Sequence, residues 1–347
     1  MRSAEGDLPG AAPSDPDHIV LQQVLRRFGI LDDLVGAEQV GRAWSNRVWS
    51  VRTSGGRYAV KEMLNPWNDP QWREWLEEAI AFEHLAVGAG IAAPRPVVTR
   101  TGAALADIDD RTFRVHEWID DAAPCREGPV SVRVARALAH DLATMHALSV
   151  VPSRTDVFPT PTPATCSGWP TLVSDLDRAG SPFVDAAEAA APEIAAVAAW
   201  FAQRSVTTER KVMSHGDVDQ KNLLLARGRP WLVDWDVAAP WFPGEEALRT
   251  ALSLAAWQDP AVAQAFLAAY VAAGGATADP APESVSVDLI IGVDWLDRCL
   301  RIAAGLQDVE AARADEARAH VPTLFQRLRT QVEVAADLPR WLSGSSD

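Results

Sequence analysis

Ser214-His-Gly-Asp-Val-Asp-Gln-Lys-Asn222 is the densest polar stretch of the chain. It follows the apolar pair Val212-Met213 and precedes the apolar run Leu223-Leu-Leu225. Apolar flanks of this kind predict that the polar segment is pinned between buried residues. The stretch is therefore the first place to look for chemistry.

A second polar group follows at a short distance along the chain. Leu232-Val-Asp-Trp-Asp236 predicts an apolar strand that ends in two carboxylates on the same side, because side chains alternate along a strand. Transfer of a phosphoryl group needs one carboxylate to accept a hydroxyl proton and further oxygen ligands to hold Mg²⁺ on the phosphates. Asp217, Asn222 and Asp234 can supply these groups.

The pattern upstream of these motifs predicts a strand-rich region. Residues 41–63 read as two alternating strands joined by the turn Ser54-Gly55-Gly56, which is a hairpin signal. A helix with apolar positions at helical spacing is predicted before the hairpin at 18–30, and another follows it at 70–87. Residues 111–119 read as a further strand.

Downstream, the pattern becomes mainly helical. Helices are predicted at 131–148, over much of 172–204 and from 244 to the end, whereas 151–170 is predicted as a long proline-rich loop. The expected organisation is a tail at 1–17, an N-terminal lobe at 18–119 and a larger C-terminal lobe at 120–347. The predicted fold class is therefore α+β, with a strand-rich lobe followed by a mainly helical one.

Composition limits the possible partners. The 347 residues contain 47 acidic and 32 basic side chains, a net charge of −15, which repels nucleic acid and anionic lipid and favours a cationic small molecule. Cys125, Cys166 and Cys299 are odd in number and widely spaced, so neither a disulfide framework nor a zinc site is expected. We expect a cytoplasmic protein that spans no membrane.

The motifs and their order resemble the aminoglycoside phosphotransferase and choline kinase family, whose members share the protein-kinase-like fold. The resemblance rests on His215-Gly216-Asp217, on Asn222 five residues later, and on the Asp-Trp-Asp segment at 234–236. Upstream, Tyr58-Ala-Val-Lys61 is similar to the phosphate-binding lysine strand of that family. The matches run in the same order over more than half of the chain.

The resemblance implies a role for each matching residue. Asp217 would be the catalytic base, Asn222 and Asp234 would hold Mg²⁺, and Lys61 would hold the nucleotide phosphates. The implied nucleotide-binding positions also include Gly41, Ser45 and Asn46 in the loop, and Glu117, Trp118 and Ile119 in the hinge, whose backbone would meet the adenine. Spacing favours Glu78 as the partner of Lys61, with Glu83 as the alternative. The implied cofactors are Mg²⁺ and ATP, with GTP possible.

Other motifs in the chain lack their required context. The GxGxxA match at 88–93 follows a helix and runs into Pro94, whereas a dinucleotide-binding loop follows a strand and opens a helix. His116-Glu117 lacks the second histidine of a zinc-protease motif, and no Walker loop occurs. A protein kinase is disfavoured because Trp235-Asp236 stands where its Asp-Phe-Gly motif would continue.

The molecule that accepts the phosphoryl group is the part of the function that the sequence determines least. Acidic residues with neighbouring tryptophans suit an aminated, hydroxylated ligand. The candidate substrate residues are Asp236, Glu245, Glu246, Asp294 and Trp295. The expected activity is O-phosphorylation of a small, cationic molecule such as an aminoglycoside or another antibiotic. A metabolic kinase for an amino sugar or amino alcohol, and a pseudokinase that only binds nucleotide, are the alternatives; the oligomeric state is not predicted.

Overall fold

The computed structural model describes residues 16–42, 46–65, 69–204 and 209–344. The strands are β1 (Leu34–Arg42), β2 (Asn46–Thr53), β3 (Arg57–Met63), β4 (Pro96–Val97), β5 (Ala106–Ile108), β6 (Arg111–Glu117), β7 (Ala123–Pro124), β8 (Val212–Ser214), β9 (Leu223–Ala226), β10 (Arg229–Leu232) and β11 (Ala239–Trp241).

The helices complete the fold. They are α1 (Pro16–Arg27), α2 (Trp72–Gly88), α3 (Val132–Ala147), α4 (Ala164–Arg178), α5 (Val184–Ala189), α6 (Ala191–Ala202), α7 (Pro243–Leu254), α8 (Pro260–Ala272), α9 (Pro282–Ala303), α10 (Ala311–Ala336) and α11 (Leu338–Ser343). None of the helices in the described ranges is long and apolar enough to cross a membrane.

The chain forms two compact units. The N-terminal unit comprises Met1–Pro124 and Asn222–Ala238, and the C-terminal unit comprises Cys125–Lys221 and Ala239–Asp347. The first unit holds most of the strands and the second most of the helices, so the predicted α+β class is confirmed. The lobe limits 18–119 and 120–347 stay a prediction.

An antiparallel sheet organises the N-terminal unit. Its strand order is β1-β2-β3-β6-β4, and β5 also pairs with β6. The predicted hairpin is confirmed, because β2 pairs with β3 and the Thr53 N–H donates to the Gly56 carbonyl at 2.8 Å. Strand β1 was not predicted. One face of the sheet packs on α1 through buried apolar side chains such as Val60, Phe113 and Val115.

Strand alternation gives the sheet a second, polar face. Antiparallel pairing places Ala59 opposite His116, Lys61 opposite Arg114 and Met63 opposite Thr112. These residues alternate with the apolar residues that face α1. Lys61 of β3 thus shares one face of the sheet with Thr112, Arg114 and His116 of β6, beside the apolar Ala59 and Met63.

The segment after β10 differs from the predicted strand. Strand β10 ends at Leu232, Asp234 has left-handed backbone angles (φ 67°, ψ 53°), and Trp235–Val237 forms a 3₁₀ turn. The Val233 N–H donates to the Asn222 carbonyl at 2.9 Å, and the buried Trp235 ring lies 6.2 Å from the Phe82 ring of α2. Tertiary packing therefore turns the chain where simple alternation would have extended it.

The C-terminal unit is mainly helical, with the short strands β8 and β11 paired beside the polar stretch. Helix α3 confirms its prediction, and its N-cap is Ser131, whose side chain accepts from the Val134 N–H at 3.3 Å. The predicted loop at 151–170 is too long, because α4 already begins at Ala164. Cys125, Cys166 and Cys299 are free thiols.

Candidate active site

Lys61 on β3 lies in a cluster of buried charges within the N-terminal unit. Its ammonium contacts the carboxylates of Asp234 and Asp236, although more than 170 residues separate them in sequence. Burial lowers the pKa of the Lys61 ammonium, but the two carboxylates outweigh it and raise that pKa above its ordinary value. The structure therefore brings the predicted phosphate-binding cation to a predicted metal ligand.

Asp236, a predicted substrate residue, lies deep in this cluster. Its carboxylate is only 5% exposed and contacts Lys61 and the Arg114 guanidinium. The Asn46 side-chain amide donates to Asp236 Oδ2 at 3.4 Å, which ties the predicted nucleotide loop to the same carboxylate. Burial raises the pKa of Asp236, but Lys61 and then Arg114 hold it far below its usual range.

The loop residues and the glutamates of α2 have different placements. Gly41 lies on β1 opposite Val48, whereas Ser45 lies outside the described residues. Glu83 is fully buried and contacts the Arg114 guanidinium, and the His116 imidazole lies 3.0 Å from Glu83 Oε1. The pairing of Lys61 with Glu78, which is half-buried, stays a prediction.

The hinge residues follow β6. The Glu117 N–H donates to the Arg95 carbonyl at 2.9 Å, and the Trp118 N–H donates to the Arg57 carbonyl at 3.1 Å. The Arg57 guanidinium also lies 4.2 Å from the centre of the Trp118 ring. Ile119 is buried. The N–H groups of Glu117 and Trp118 are thus used within the N-terminal unit, and binding of adenine by the hinge stays a prediction.

Two oxygen donors in the N-terminal unit suit a magnesium ion. Asn222 is 4% exposed, and the hydrogen bond from Val233 to its carbonyl brings it next to the turn that carries Asp234. Mg²⁺ is commonly held by one or two protein oxygens together with substrate phosphates. Within the described part of the chain, no group of three or more His, Cys, Asp and Glu side chains could hold a metal. The donor set thus fits Mg²⁺ bound together with a nucleotide.

Asp217 lies in the C-terminal unit, in the loop that leaves β8. Its carboxylate has Lys221 Nζ at 3.0 Å and an Arg249 guanidinium nitrogen at 4.0 Å. Burial raises the pKa of Asp217, but Lys221 and Arg249 outweigh it and lower that pKa below its ordinary value. The carboxylate is therefore ionised at neutral pH and able to accept a proton.

The residue before Asp217 is held through its backbone on both sides. The Gly216 N–H donates to Glu246 Oε1 at 3.0 Å, and the Gly216 carbonyl accepts from Arg249. Gly216 has a φ of +75°, which disfavours residues with a Cβ. His215 is buried, and its Nδ1 accepts from the Asp217 N–H at 3.3 Å, consistent with a bracing role.

Glu246, predicted as a substrate residue, is a fully buried anchor of this loop. Its other oxygen lies 2.8 Å from His146 Nε2, and His146 Nδ1 lies 2.7 Å from the Tyr270 hydroxyl. Burial raises the pKa of Glu246, but His146, Ser214 and Arg249 together outweigh burial and lower that pKa. Sequence reasoning missed this anchoring role, because adjacent glutamates at a helix start usually indicate a solvated end.

The remaining predicted substrate residues lie on two helices of the C-terminal unit, Glu245 on α7 and Asp294 and Trp295 on α9. Glu245 pairs with Arg204 at 2.7 Å. Asp294 and Trp295 are half-buried on α9, and Asp294 Oδ1 has no hydrogen-bond partner among the described residues. Burial and then Asp297 raise the pKa of Asp294. The structure thus gives Glu245 a basic partner, whereas Asp294 keeps one carboxylate oxygen without a partner among the described residues.

Solved structures of similar fold include several kinases of small molecules. A spectinomycin phosphotransferase in complex with ADP and spectinomycin has a TM-score of 0.65 and 14% identity, over 91% of this chain and 96% of that one. A choline kinase from Streptococcus pneumoniae has a TM-score of 0.58 and 14% identity, over 91% of this chain and 100% of that one. An aminoglycoside phosphotransferase from Alicyclobacillus acidocaldarius has a TM-score of 0.54 and 20% identity, over 93% of this chain and 98% of that one. A search of curated proteins found no match.

The fold is that of the protein-kinase-like small-molecule kinases. The model of the phosphotransferase enzyme family matches residues 36–282, which is more than half of the chain, and the chain belongs to that family. The resemblance seen in the sequence is confirmed. The protein is thus a phosphotransferase that uses an alcohol group as acceptor.

Proposed function

We propose that the protein transfers the γ-phosphate of ATP, or of GTP, to a hydroxyl group of a small cationic molecule such as an aminoglycoside or another antibiotic. The observation that carries this proposal is the contact between Lys61 and Asp234, because it joins a phosphate-binding cation to a magnesium ligand within one unit. Family membership supports the reaction class. The spectinomycin phosphotransferase and choline kinase of similar fold support an aminated acceptor.

In the proposed mechanism, each residue has one task. Lys61 binds the phosphates of the nucleotide, and Asn222 and Asp234 would supply oxygen ligands to Mg²⁺. The bound Mg²⁺ would neutralise charge on the phosphates. Asp217 orients the acceptor hydroxyl and takes its proton as the oxygen attacks the γ-phosphorus, while the bond from the γ-phosphorus to the bridging oxygen breaks and the nucleoside diphosphate leaves. Lys221 and Arg249 keep the Asp217 carboxylate ionised for this step.

The net charge supports a cationic acceptor. At −15, the protein attracts cations and repels anions over the Debye distance. Asp294 is the predicted substrate residue that remains best suited to meet an amine, since Glu246 holds the Gly216 backbone and Glu245 pairs with Arg204. We therefore place the acceptor amine near α9.

The test is release of nucleoside diphosphate by the purified protein with Mg²⁺ and ATP or GTP. The panel contains aminoglycosides, peptide and nucleoside antibiotics, amino sugars and amino alcohols. Asp217→Asn should abolish release but bind nucleotide like the wild type. Asp219→Asn is the matched control, because Asp219 lies in the same loop and accepts from the Ser253 hydroxyl at 2.8 Å, a bond that an amide oxygen can keep.

Each outcome decides between the candidate functions. Release that depends on an antibiotic and disappears only in Asp217→Asn would establish the proposed activity. Release with amino alcohols or amino sugars alone would identify a metabolic kinase. Nucleotide binding without release across the panel would favour a pseudokinase, and an active Asp217→Asn protein would refute the proposed role of this carboxylate.

A further inference from the structure

Two cations lie opposite each other on neighbouring strands of the N-terminal sheet. Lys61 on β3 pairs directly with Arg114 on β6, and like charges at such positions repel. Asp236 resolves the conflict, because Oδ2 contacts Lys61 while Oδ1 contacts Arg114. One carboxylate thus contacts two cations. The negative charge of Asp236 is shared between Lys61 and Arg114, so the loss of one cation leaves the other to neutralise it alone.

Arg114 also reaches the helix behind the sheet. Its second guanidinium nitrogen contacts Glu83 of α2, and both side chains are almost completely buried. His116, two residues along the strand, lies 3.0 Å from the other oxygen of Glu83. Burial raises the pKa of Glu83, but Arg114 and then His116 lower it to about 2, so this carboxylate remains charged.

We infer that Arg114 is a positioning residue for the phosphates of the nucleotide. Through Asp236 it neutralises and orients the carboxylate that holds Lys61, and through Glu83 it ties that arrangement to α2. This inference rests on the proposed role of Lys61 as the phosphate-binding cation. It adds a route from Lys61 to α2 that is independent of any direct pairing between Lys61 and Glu78.

The charge balance shows why Arg114 matters for binding. We call Lys61, Glu83, Arg114, Asp234 and Asp236 the phosphate-side cluster; its two cations and three anions sum to a charge of −1. Without Arg114 the sum is −2, which opposes the anionic phosphates more strongly. Asp236 would then also draw Lys61 more tightly, leaving the ammonium less available to a nucleotide. Both effects weaken binding.

The experiment measures binding of the fluorescent nucleotide mant-ADP with Mg²⁺, together with the melting temperature of each variant. Arg114→Met should weaken binding about tenfold or more, which corresponds to about 1.4 kcal/mol per factor of ten. Arg111→Met is the matched control: Arg111 lies on the same strand and pairs with Glu62 at 2.8 Å, outside the phosphate-side cluster. It should leave the affinity within about twofold of the wild type.

A double variant separates positioning from a merely structural role. In Arg114→Met with Asp236→Asn, the cluster returns to a charge of −1, and the affinity should recover by several-fold over the single variant. A structural role alone predicts that the double variant binds no better. If Arg114→Met does not fold, Arg114→Lys keeps the charge but loses the guanidinium that bridges Asp236 and Glu83, and it should bind several-fold more weakly than the wild type.

The outcomes separate this inference from the proposed function. If the wild-type protein does not bind mant-ADP, the proposed function fails. If the wild type binds but the folded Arg114 variant binds equally well, only the role of Arg114 is refuted. That role is also refuted if Arg111→Met weakens binding as much as Arg114→Met does.

Discussion

The anchoring of the Asp217 loop by Glu246 predicts a large difference between two adjacent glutamates. Glu246→Leu leaves the buried Gly216 N–H without its acceptor and removes the 2.8 Å contact to His146. An orphaned buried donor costs about 1–3 kcal/mol, and a hydrogen bond to a charged group contributes about 1.5–3 kcal/mol. The two contributions add to about 2.5–6 kcal/mol. Glu245→Leu removes a partly exposed pair with Arg204, worth about 0–1 kcal/mol.

Thermal unfolding followed by circular dichroism measures this difference. For a unit of about 200 residues, each kcal/mol corresponds to about 2–4 °C, so Glu246→Leu should lower the melting temperature by on the order of 10 °C. Glu245→Leu should lower it by only about 2 °C. A Glu246→Leu protein that melts within about 3 °C of the Glu245→Leu control would refute the reasoning.

Three further predictions follow from the charges. Lys221→Met removes a cation that lowers the pKa of Asp217, so the acidic limb of the kcat profile should move to higher pH; an unmoved limb would exclude Asp217 as the titrating base. Glu83 has a pKa of about 2 in the fold and 4.5 ordinarily, so it stabilises the protein above pH 4.5 by roughly 3 kcal/mol, and this is lost towards pH 2. The stability advantage of the wild type over Glu83→Gln in urea should therefore shrink with acidification, and a constant gap would contradict this. Finally, the KM of a cationic acceptor should rise with salt, whereas a KM indifferent to ionic strength would count against electrostatic attraction.

Local sequence patterns were sufficient to predict much of the fold. The hairpin of β2 and β3 and the helix α2 were predictable, because period-two alternation, the Ser54-Gly55-Gly56 turn and helical apolar spacing all act within a few residues. Strand β1 was missed, because Leu34–Arg42 mixes glycine and polar residues without clear alternation. Its strand conformation depends on pairing with β2, which a local pattern does not contain.

The site was predictable in its parts and not in its connections. The order of motifs indicated Lys61, Asp217 and Asp234, but not that Asp236 is shared by two cations. Thr112, Arg114 and His116 alternate along β6, a pattern that is compatible with a polar face although none was predicted. What it could not show is the partner of that face, since Glu83 and Asp236 reach it only through tertiary packing.

The two charged clusters divide the proposed chemistry between the two units. Lys61, Arg114 and Asp236 are balanced by contacts within the N-terminal unit, while Asp217 is balanced by Lys221 and Arg249 within the C-terminal unit. The boundary between the units falls between Lys221 and Asn222, inside the polar stretch itself. Substitutions in the first cluster should therefore act on nucleotide affinity and those in the second on turnover. A single variant that changed both equally would mean that the charges are organised as one network.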